Sequence, residues 1–172
     1  SFQDHEFIII NSKKSYLKFN IYDYNPDLIL WYGWSDIIDK KIIKEYYSVM
    51  LHPSSLPKYR GGSPIQNQII DGEITSAVTI FKMGKGLDDG GIISQSIFSL
   101  EGDIKDIFKR MTDLGFSSTF DIITKGYLLR EQDHNQATIF KRLKPSDSEI
   151  TIDDIKNNTA EYLHNKIRML TD

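Results

Sequence analysis

Short apolar runs separated by amphipathic stretches constrain the fold of this chain most. Apolar segments at 7–10, 28–32 and 48–51 predict three buried strands, and the stretch between the last two predicts a helix over 35–47. Strands that alternate with helices are typical of parallel βα units. We therefore predict an α/β fold in which a Rossmann-like, mostly parallel sheet carries helices on both faces.

A span rich in proline and glycine, 53–91, follows the third strand and holds three of the five prolines and seven of the eleven glycines. Within it, Pro64 at a first helical turn begins a predicted helix that runs to Ile70. Residues 77–81 predict a strand, and the alternating segment 92–98 predicts its antiparallel neighbour. Further along we predict a long helix, a short strand and a last helix, over 103–130, 137–142 and 152–170.

Composition fits one globular domain of 172 residues, with 40% hydrophobic and 26% charged residues. The chain contains no cysteine, which excludes a thiol nucleophile and a cysteine-ligated metal, and we expect no metal cofactor. Its apolar runs are far shorter than the ~18 residues of a membrane span, and no signal peptide is visible at the start. We expect a cytoplasmic protein with no membrane partner.

Charge argues against a nucleic-acid partner. The net charge is −3, from 21 basic and 24 acidic residues, whereas proteins that bind phosphate backbones usually carry a basic excess.

The chain starts at Ser1 rather than at a methionine and stops within a predicted helix. We therefore expect it to be a piece of a longer protein.

One of the four histidines stands out as a candidate catalytic group. His52 ends an apolar strand and begins the glycine-rich span, and open α/β sheets bind ligands beyond the carboxyl ends of their strands. His5 lies near the chain end, His164 lies on a predicted helix, and His134 lies in the polar stretch 131–136, a predicted solvated hairpin turn. We assign no function to these three histidines.

Two carboxylates are candidate partners of this histidine. Asp88 and Asp89 follow the strand at 77–83 in a tight glycine turn. If that strand neighbours the one that ends at His52, a carboxylate can reach the imidazole and fix its tautomer. The alternative is that both aspartates only form the turn, as aspartates often do.

Two long motifs carry a family resemblance. The sequence HPSSLPKYRGGSPIQ at 52–66, followed by SAVTIFKMGKGLDDGGII at 76–93, resembles the 10-formyltetrahydrofolate-dependent formyltransferases, and the similarity extends to 25–33 and 141–148. This family includes methionyl-tRNA formyltransferases and amino-sugar N-formyltransferases. The resemblance implies a formyltransferase-type catalytic core over 1–147, in which the family's first strand–helix unit looks curtailed. Residues 148–172 would be a C-terminal helical extension of the same domain.

The resemblance also implies a reaction and its site. In the implied reaction, an amine attacks the formyl carbon of the co-substrate 10-formyltetrahydrofolate, and no covalent enzyme intermediate forms. His52 lies beside the oxyanion and moves the amine's proton, and Asp88 supports His52. The implied folate-binding residues are Gly33, Trp34, Ile38, Met83, Gly86, Leu87 and Asp88. The implied substrate loop contains Ser54, Arg60, Gly61, Gly62 and Asn67.

The glycine loop and Trp34 of this implied folate site each need a further comment. Glycines in the loop 84–91 would let its backbone approach a flat pterin closely, because they lack a Cβ. Trp34 is either a pterin-lining residue or a half-buried core tryptophan.

Position 50 departs from the family pattern. The family has an asparagine two residues before the histidine, whereas this chain has Met50, which cannot donate a hydrogen bond. Losing one oxyanion donor typically costs about 2.7–4 kcal/mol of transition-state stabilisation. Asn67, Gln66 or Ser54 could supply the donor, which we favour. Otherwise the enzyme is slow, or the chain is a folate-binding module that does not catalyse transfer.

The acceptor amine follows by analogy only. The span 52–100 holds four basic and four acidic residues, so no basic patch for RNA is visible beside the predicted site. No C-terminal tRNA-binding domain follows in the sequence given, and the stretch 144–148, KPSDS, resembles the sugar-modifying members. We therefore expect a small-molecule acceptor, an amino sugar linked to a nucleotide, and leave a homodimer open. A methionyl-tRNA formyltransferase-like protein is the alternative enzyme.

Overall fold

The computed structural model describes residues 5–170, in which a four-stranded sheet and a two-stranded sheet are joined by helices. The strands are β1 (Ile29–Trp31), β2 (Ser48–His52), β3 (Arg60–Gly61), β4 (Thr75–Lys82), β5 (Ile92–Ser99) and β6 (Ile139–Phe140). The α-helices are α1 (Lys13–Tyr16), α2 (Lys40–Glu45), α3 (Pro64–Ile70), α4 (Ile104–Lys125), α5 (Ile152–Asn157) and α6 (Ala160–Arg168). Short 3-10 helices cover Ile21–Asp23, His134–Gln136 and Pro145–Ser148.

Strand directions confirm the α/β class but correct one part of the prediction. In the main sheet, of order β1-β2-β4-β5, only β1 and β2 are parallel, and the β2–β4 and β4–β5 pairs are antiparallel. The predicted mostly parallel arrangement is therefore wrong. The connection 83–91 contains no helix and is shorter than the dozen or more residues that a parallel crossover needs, so β5 must run antiparallel to β4.

Helices cover both faces of the main sheet, as predicted. On one face, Val49 and Ile80 pack with Ile107 of α4 in the largest apolar cluster. On the other face, Trp31 packs with Ile42 of α2. Successive side chains of a strand point to opposite faces of the sheet, so neighbouring residues of β1 and of β2 pack in different clusters.

Several predicted elements are absent from the structure or have other bounds in it. Residues 7–10 form no strand, Ile9 is 87% exposed, and β1 pairs only with β2 among the described strands. The helix predicted over 35–47 begins only at Lys40, where the Asp39 carboxylate accepts a hydrogen bond from the Lys41 backbone N–H at 2.8 Å. The helix predicted over 152–170 is divided into α5 and α6.

Helix caps explain where the remaining boundaries fall. The hydroxyl of Thr159 accepts a hydrogen bond from the Tyr162 backbone N–H, so a new helix begins within the predicted last one. The long helix α4 ends at Lys125, before the predicted end at 130, because Gly126 adopts a φ of +74°. No described helix has the length and apolar character needed to cross a membrane.

Candidate active site

His52 lies at the end of β2 with its side chain only 6% exposed. Its Nε2 is 2.7 Å from the backbone carbonyl oxygen of Tyr59. A carbonyl oxygen only accepts hydrogen bonds, so Nε2 must carry the hydrogen. The lone pair of a neutral ring is therefore on Nδ1, and this is the nitrogen that can take up a proton.

Tyr59 holds its carbonyl in place through several contacts. Its backbone has a φ of +58°, its N–H donates to the Thr138 hydroxyl at 2.8 Å, and its ring stacks on Phe140 with centroids 4.8 Å apart. Its hydroxyl donates to the carboxylate of Asp71 at 3.0 Å. Burial, followed by the bond to Asp71, raises the pKa of the Tyr59 hydroxyl, which therefore stays a donor. These contacts fix the tautomer of His52.

Asp88 faces the other nitrogen of the imidazole ring. Its Oδ2 is 3.6 Å from Nδ1 of His52 and accepts a hydrogen bond from the Gly61 backbone N–H at 2.8 Å. The carboxylate is only 9% exposed, and the residue adopts a φ of +48°. As predicted, a carboxylate of this turn approaches the imidazole, where it can stabilise positive charge on the ring.

Asp89 points away from the histidine. Its Oδ2 accepts a hydrogen bond from the Gly86 backbone N–H at 3.0 Å, so the side chain closes its own loop. A Cβ at Gly84 or Gly86 would collide with the carboxylate of Asp89. These two glycines therefore leave room for the loop's own aspartate, and the expectation that the loop approaches a pterin stays a prediction.

The path of the loop 83–91 also differs from the expected one. Because β4 is antiparallel to β2, Lys82 lies opposite Val49, at the far end of β2 from His52. The loop leaves the sheet there and must extend about 10 Å along β2 to bring Asp88 to the histidine. At its base the loop is narrow, since a Cβ on Gly90 would overlap the Lys82 carbonyl oxygen.

The predicted folate-binding residues divide into two groups. Trp34, Ile38 and Met83 pack in one apolar cluster with Trp31, beside the turn at Gly33. Trp34 is half-buried, with its ring 4.7 Å from that of Tyr16 between centroids. Gly86 and Leu87 belong to the loop beside the histidine instead, where Leu87 is 55% exposed and lies against Gly61.

This apolar cluster can hold a flat ring with polar edges. The indole Nε1 atoms of Trp31 and Trp34 are buried and have no hydrogen-bond partner within the described part of the chain. Buried donors normally have partners, so two partnerless N–H groups in one cluster are unusual. An aromatic and apolar cluster with two such donors fits the flat, heteroatom-rich ring of the folate implied by the family resemblance.

Met50 lies on the same face as His52, between Trp31 and Phe81 of the neighbouring strands. The side chains expected to replace its missing donor are already engaged. Both Nδ2 hydrogens of Asn67 are donated, to the carbonyls of Gly62 and Ser63, at 2.9 and 3.0 Å.

Ser54 is engaged in the same way, because its only hydroxyl hydrogen is donated to the Lys58 carbonyl at 2.7 Å. This geometry disfavours Asn67 and Ser54 as substitutes. Gln66, the third expected substitute, is half-buried on α3.

Arg60 and Gln132 form a buried pair behind the site. Arg60 is 6% exposed, and its Nη2 donates to Gln132 Oε1 at 2.6 Å and to His134 Nδ1 at 3.1 Å. The Gln132 amide in turn donates to the carbonyls of Asp88 and Gly90, at 2.9 and 2.7 Å. The solvated turn predicted over 131–136 is therefore wrong at Gln132, which is 5% exposed. The sequence of this turn is polar throughout, so nothing in it indicates that Gln132 is buried while its neighbours are exposed.

Two surface cavities lie away from this site. One of about 440 Å³ lies between Gly102 and Arg168, and one of about 380 Å³ lies between Phe7 and Phe116. Neither is lined by His52. Over residues 5–170, no three histidine or carboxylate side chains gather closely enough to hold a metal ion.

Sequence comparison identifies the class of protein. The family model described as "Formyl transferase" matches residues 10–117. The methionyl-tRNA formyltransferase of Thermotoga neapolitana is 34% identical over 165 residues, which are 91% of this chain and 51% of that protein. The chain belongs to the formyltransferase family, as its motifs predicted, and it spans about half the length of this curated relative.

Solved structures agree with this assignment. A methionyl-tRNA formyltransferase from Clostridium thermocellum matches with a TM-score of 0.82 and 32% identity, over 95% of this chain and 70% of that one. The N-formyltransferase from Helicobacter canadensis, in complex with folinic acid and dTDP-3-aminofucose, matches with a TM-score of 0.63 and 26% identity. That match covers 78% of this chain and 51% of the other. The predicted formyltransferase-type α/β core is confirmed.

Proposed function

We propose that this protein transfers a formyl group from 10-formyltetrahydrofolate to a primary amine, with His52 and Asp88 as its catalytic residues. The observation that carries this proposal is the buried pair itself. One ring nitrogen of His52 is tied to a carbonyl, and the other is 3.6 Å from a carboxylate oxygen. A histidine arranged in this way can accept a proton at Nδ1 and remain charged beside a developing oxyanion.

The chain's own residues account for the proton transfer. The Tyr59 carbonyl keeps the Nε2 hydrogen in place, so the proton released by the attacking amine goes to Nδ1 of His52. Asp88 then stabilises the imidazolium without taking the proton itself. The backbone N–H of Gly61 keeps the Asp88 carboxylate aimed at the ring.

The folate would be held by Trp34, Ile38 and Met83, with the indole N–H groups of Trp31 and Trp34 as donors to its ring. When bound, 10-formyltetrahydrofolate would supply the formyl carbon and leave as tetrahydrofolate, with the proton held on Nδ1 of His52 passing to the folate nitrogen as its bond to the formyl carbon breaks. Gly33, Gly86 and Leu87 would line the approach to this site. The segment 54–67, with Arg60, Gly61 and Gly62, would face the acceptor through its backbone, because Arg60 itself points inward.

For the acceptor, the comparisons favour methionyl-tRNA over the amino sugar expected from the sequence. The curated relatives and the structural neighbour at 32% identity are methionyl-tRNA formyltransferases. The nucleotide-linked amino sugar is the second candidate, since the Helicobacter canadensis neighbour was solved with dTDP-3-aminofucose. A folate-binding module without catalysis is the third, because Met50 replaces the family asparagine.

A formyl-transfer assay with each acceptor separates these candidates. We expect the protein to formylate one of them and His52→Ala to abolish turnover. Titration calorimetry with 5-formyltetrahydrofolate is the parallel measurement, and His52→Ala should leave binding nearly unchanged. Folate binding without transfer to either acceptor would favour the non-catalytic module, and no binding at millimolar concentration would contradict the proposal.

A further inference from the structure

Gln132 is a buried side chain whose amide group has a fixed orientation. Its Oε1 accepts from the guanidinium of Arg60, which only donates, and its Nε2 donates to the carbonyls of Asp88 and Gly90, which only accept. Rotating the amide by half a turn would bring donor against donor and acceptor against acceptor. The side chain can therefore bridge these partners in one orientation only.

The two carbonyls that Gln132 contacts flank the turn that presents the candidate catalytic carboxylate. Asp88 has a φ of +48°, a backbone conformation that few residues other than glycine adopt. Its loop leaves the main sheet at Met83, whose N–H donates to the Ser48 carbonyl, and returns to the sheet at Ile92, so Asp88 lies well away from that base. Contacts from outside the loop therefore help to keep the turn in this conformation. The Gly61 N–H contacts the carboxylate, and Gln132 contacts two backbone carbonyls of the turn.

We propose that Gln132 is a positioning residue that holds Asp88 in line with His52 by donating to the Asp88 and Gly90 carbonyls. This inference rests on the proposed function for its catalytic consequence. Gln132 touches neither ring nitrogen of His52, so it acts through the loop. The buried guanidinium of Arg60 fixes the amide and so helps to aim it.

A simpler role for Gln132 would be to provide a partner for the buried charge of Arg60. Two substitutions separate these roles. Gln132→Glu keeps an acceptor for Arg60 and loses the donor to the loop, whereas Gln132→Met loses both. If only the Arg60 contact matters, Gln132→Glu behaves like the unmodified protein. If the donor matters, both variants release the loop, and the glutamate also repels the two carbonyls.

Hydrogen exchange at the Gly61 amide reports directly on the carboxylate, because this N–H donates to Asp88 Oδ2. In Gln132→Glu and Gln132→Met, we expect exchange at Gly61 to accelerate about tenfold or more, while the amides of β4 keep their protection. Gln136→Met is the matched control, since Gln136 is exposed on the same turn. Unchanged exchange at Gly61 in Gln132→Glu overturns the inference.

Kinetics provide the second measurement. We expect kcat for formyl transfer to fall about ten- to a hundredfold in Gln132→Glu, with KM for the folate within about twofold. In an Asp88→Asn background the same substitution should have no further effect, whereas a general loss of folded protein would lower activity in both backgrounds. An equal loss in both backgrounds overturns the inference. If the unmodified protein transfers no formyl group, the proposed function fails, and exchange at Gly61 still decides whether Gln132 holds Asp88.

Discussion

Two adjacent aspartates on one turn have different neighbours, and this difference assigns them different roles. Asp88 faces the imidazole of His52, and Asp89 closes its own loop through Gly86. In the proposed reaction, charge next to the imidazole would affect proton transfer, whereas the Asp89 contact would affect only the shape of the loop.

We therefore expect Asp88→Asn to lower kcat about a hundredfold or more, the usual scale for a proton-transfer pair, and Asp89→Asn to cost far less. Both substitutions keep the shape of the side chain, so each is a control for the other. Steady-state formyl transfer by purified variants is the measurement. Equal losses, or a larger loss at Asp89, would contradict the assignment.

Met50 offers a second test at the level of single residues. Asn67 and Ser54 already donate their hydrogens elsewhere, which favours a site that lacks the donor of the family asparagine. We expect Met50→Asn to raise kcat, by up to about a hundredfold, and to leave folate affinity nearly unchanged, since an oxyanion donor acts on the transition state. Met50→Leu, which adds no donor, is the matched control and should give no gain.

The outcome of Met50→Asn distinguishes a site that is slow because it lacks the donor from a site in which another group supplies the donor. If Gln66 or a water already supplies the donor, the new amide only replaces a half-buried thioether and destabilises the strand by about 1–3 kcal/mol. A Met50→Asn variant that folds normally, gains no activity and matches a parent of ordinary speed would show that the slow-site interpretation is wrong.

The sequence predicted which side chains come together better than it predicted what supports them. The pairing of His52 with Asp88 could be predicted because His52 ends a strand, Asp88 lies in a turn that follows one, and each belongs to a motif. The Tyr59 carbonyl could not be found, because any residue has a carbonyl and only the backbone path decides where it points. Gln132 was missed because its burial depends on Arg60, 72 positions away in the chain.

At the scale of elements, the small sheet of β3 and β6 sets the position of the proposed substrate loop. Its two strands lie close to each other, and a Cβ on Gly62 would collide with the backbone of Arg142. The Gly62 N–H also donates to the Phe140 carbonyl at 3.0 Å. Pushing these segments apart would disturb Gly61, the neighbour that holds the carboxylate of Asp88.

We expect Gly62→Ala to lower the free energy of unfolding by about 1–3 kcal/mol, because the contacting atoms belong to the backbone and cannot rotate away. Gly91→Ala is the matched control: its nearest neighbour is a flexible Leu129 side-chain atom at 3.4 Å, and we expect a change below about 1 kcal/mol. Urea denaturation measures both. Equal destabilisation would indicate that the tight packing at Gly62 is not what the alanine disturbs.

The pattern of apolar and turn residues predicted best those helices and strands whose contacts lie close in sequence. The helix α3 has the predicted bounds, and β5 is antiparallel to β4 as expected. The apolar run at 7–10 was predicted as a strand, yet a strand also needs a partner with free hydrogen-bonding groups. Whether such a partner exists depends on the whole sheet, which local periodicity does not describe.

At the scale of the whole molecule, two tyrosine hydroxyls make the stability of the fold depend on pH: that of Tyr59, which is buried, and that of Tyr47, which is half-buried. Burial and a hydrogen bond with Tyr127 raise the pKa of Tyr47, and burial and Asp71 raise that of Tyr59. Both hydroxyls therefore stay protonated in the folded protein well above the ordinary value of about 10. In the unfolded chain they lose their protons near that pH.

The sign of the effect on stability follows from this difference. Above about pH 10 the folded state binds more protons than the unfolded state, so the free energy of unfolding falls as pH rises. We expect this fall to become shallower in Tyr47→Phe and Tyr59→Phe, and shallowest in the double variant, because phenylalanine does not titrate. The quantity to compare is the slope of the free energy of unfolding against pH between pH 9 and 11, measured by urea denaturation at each pH. The slope is used because the loss of a hydrogen bond lowers stability by the same amount at every pH. A slope unchanged in the double variant would mean that other groups control the alkaline unfolding of this protein.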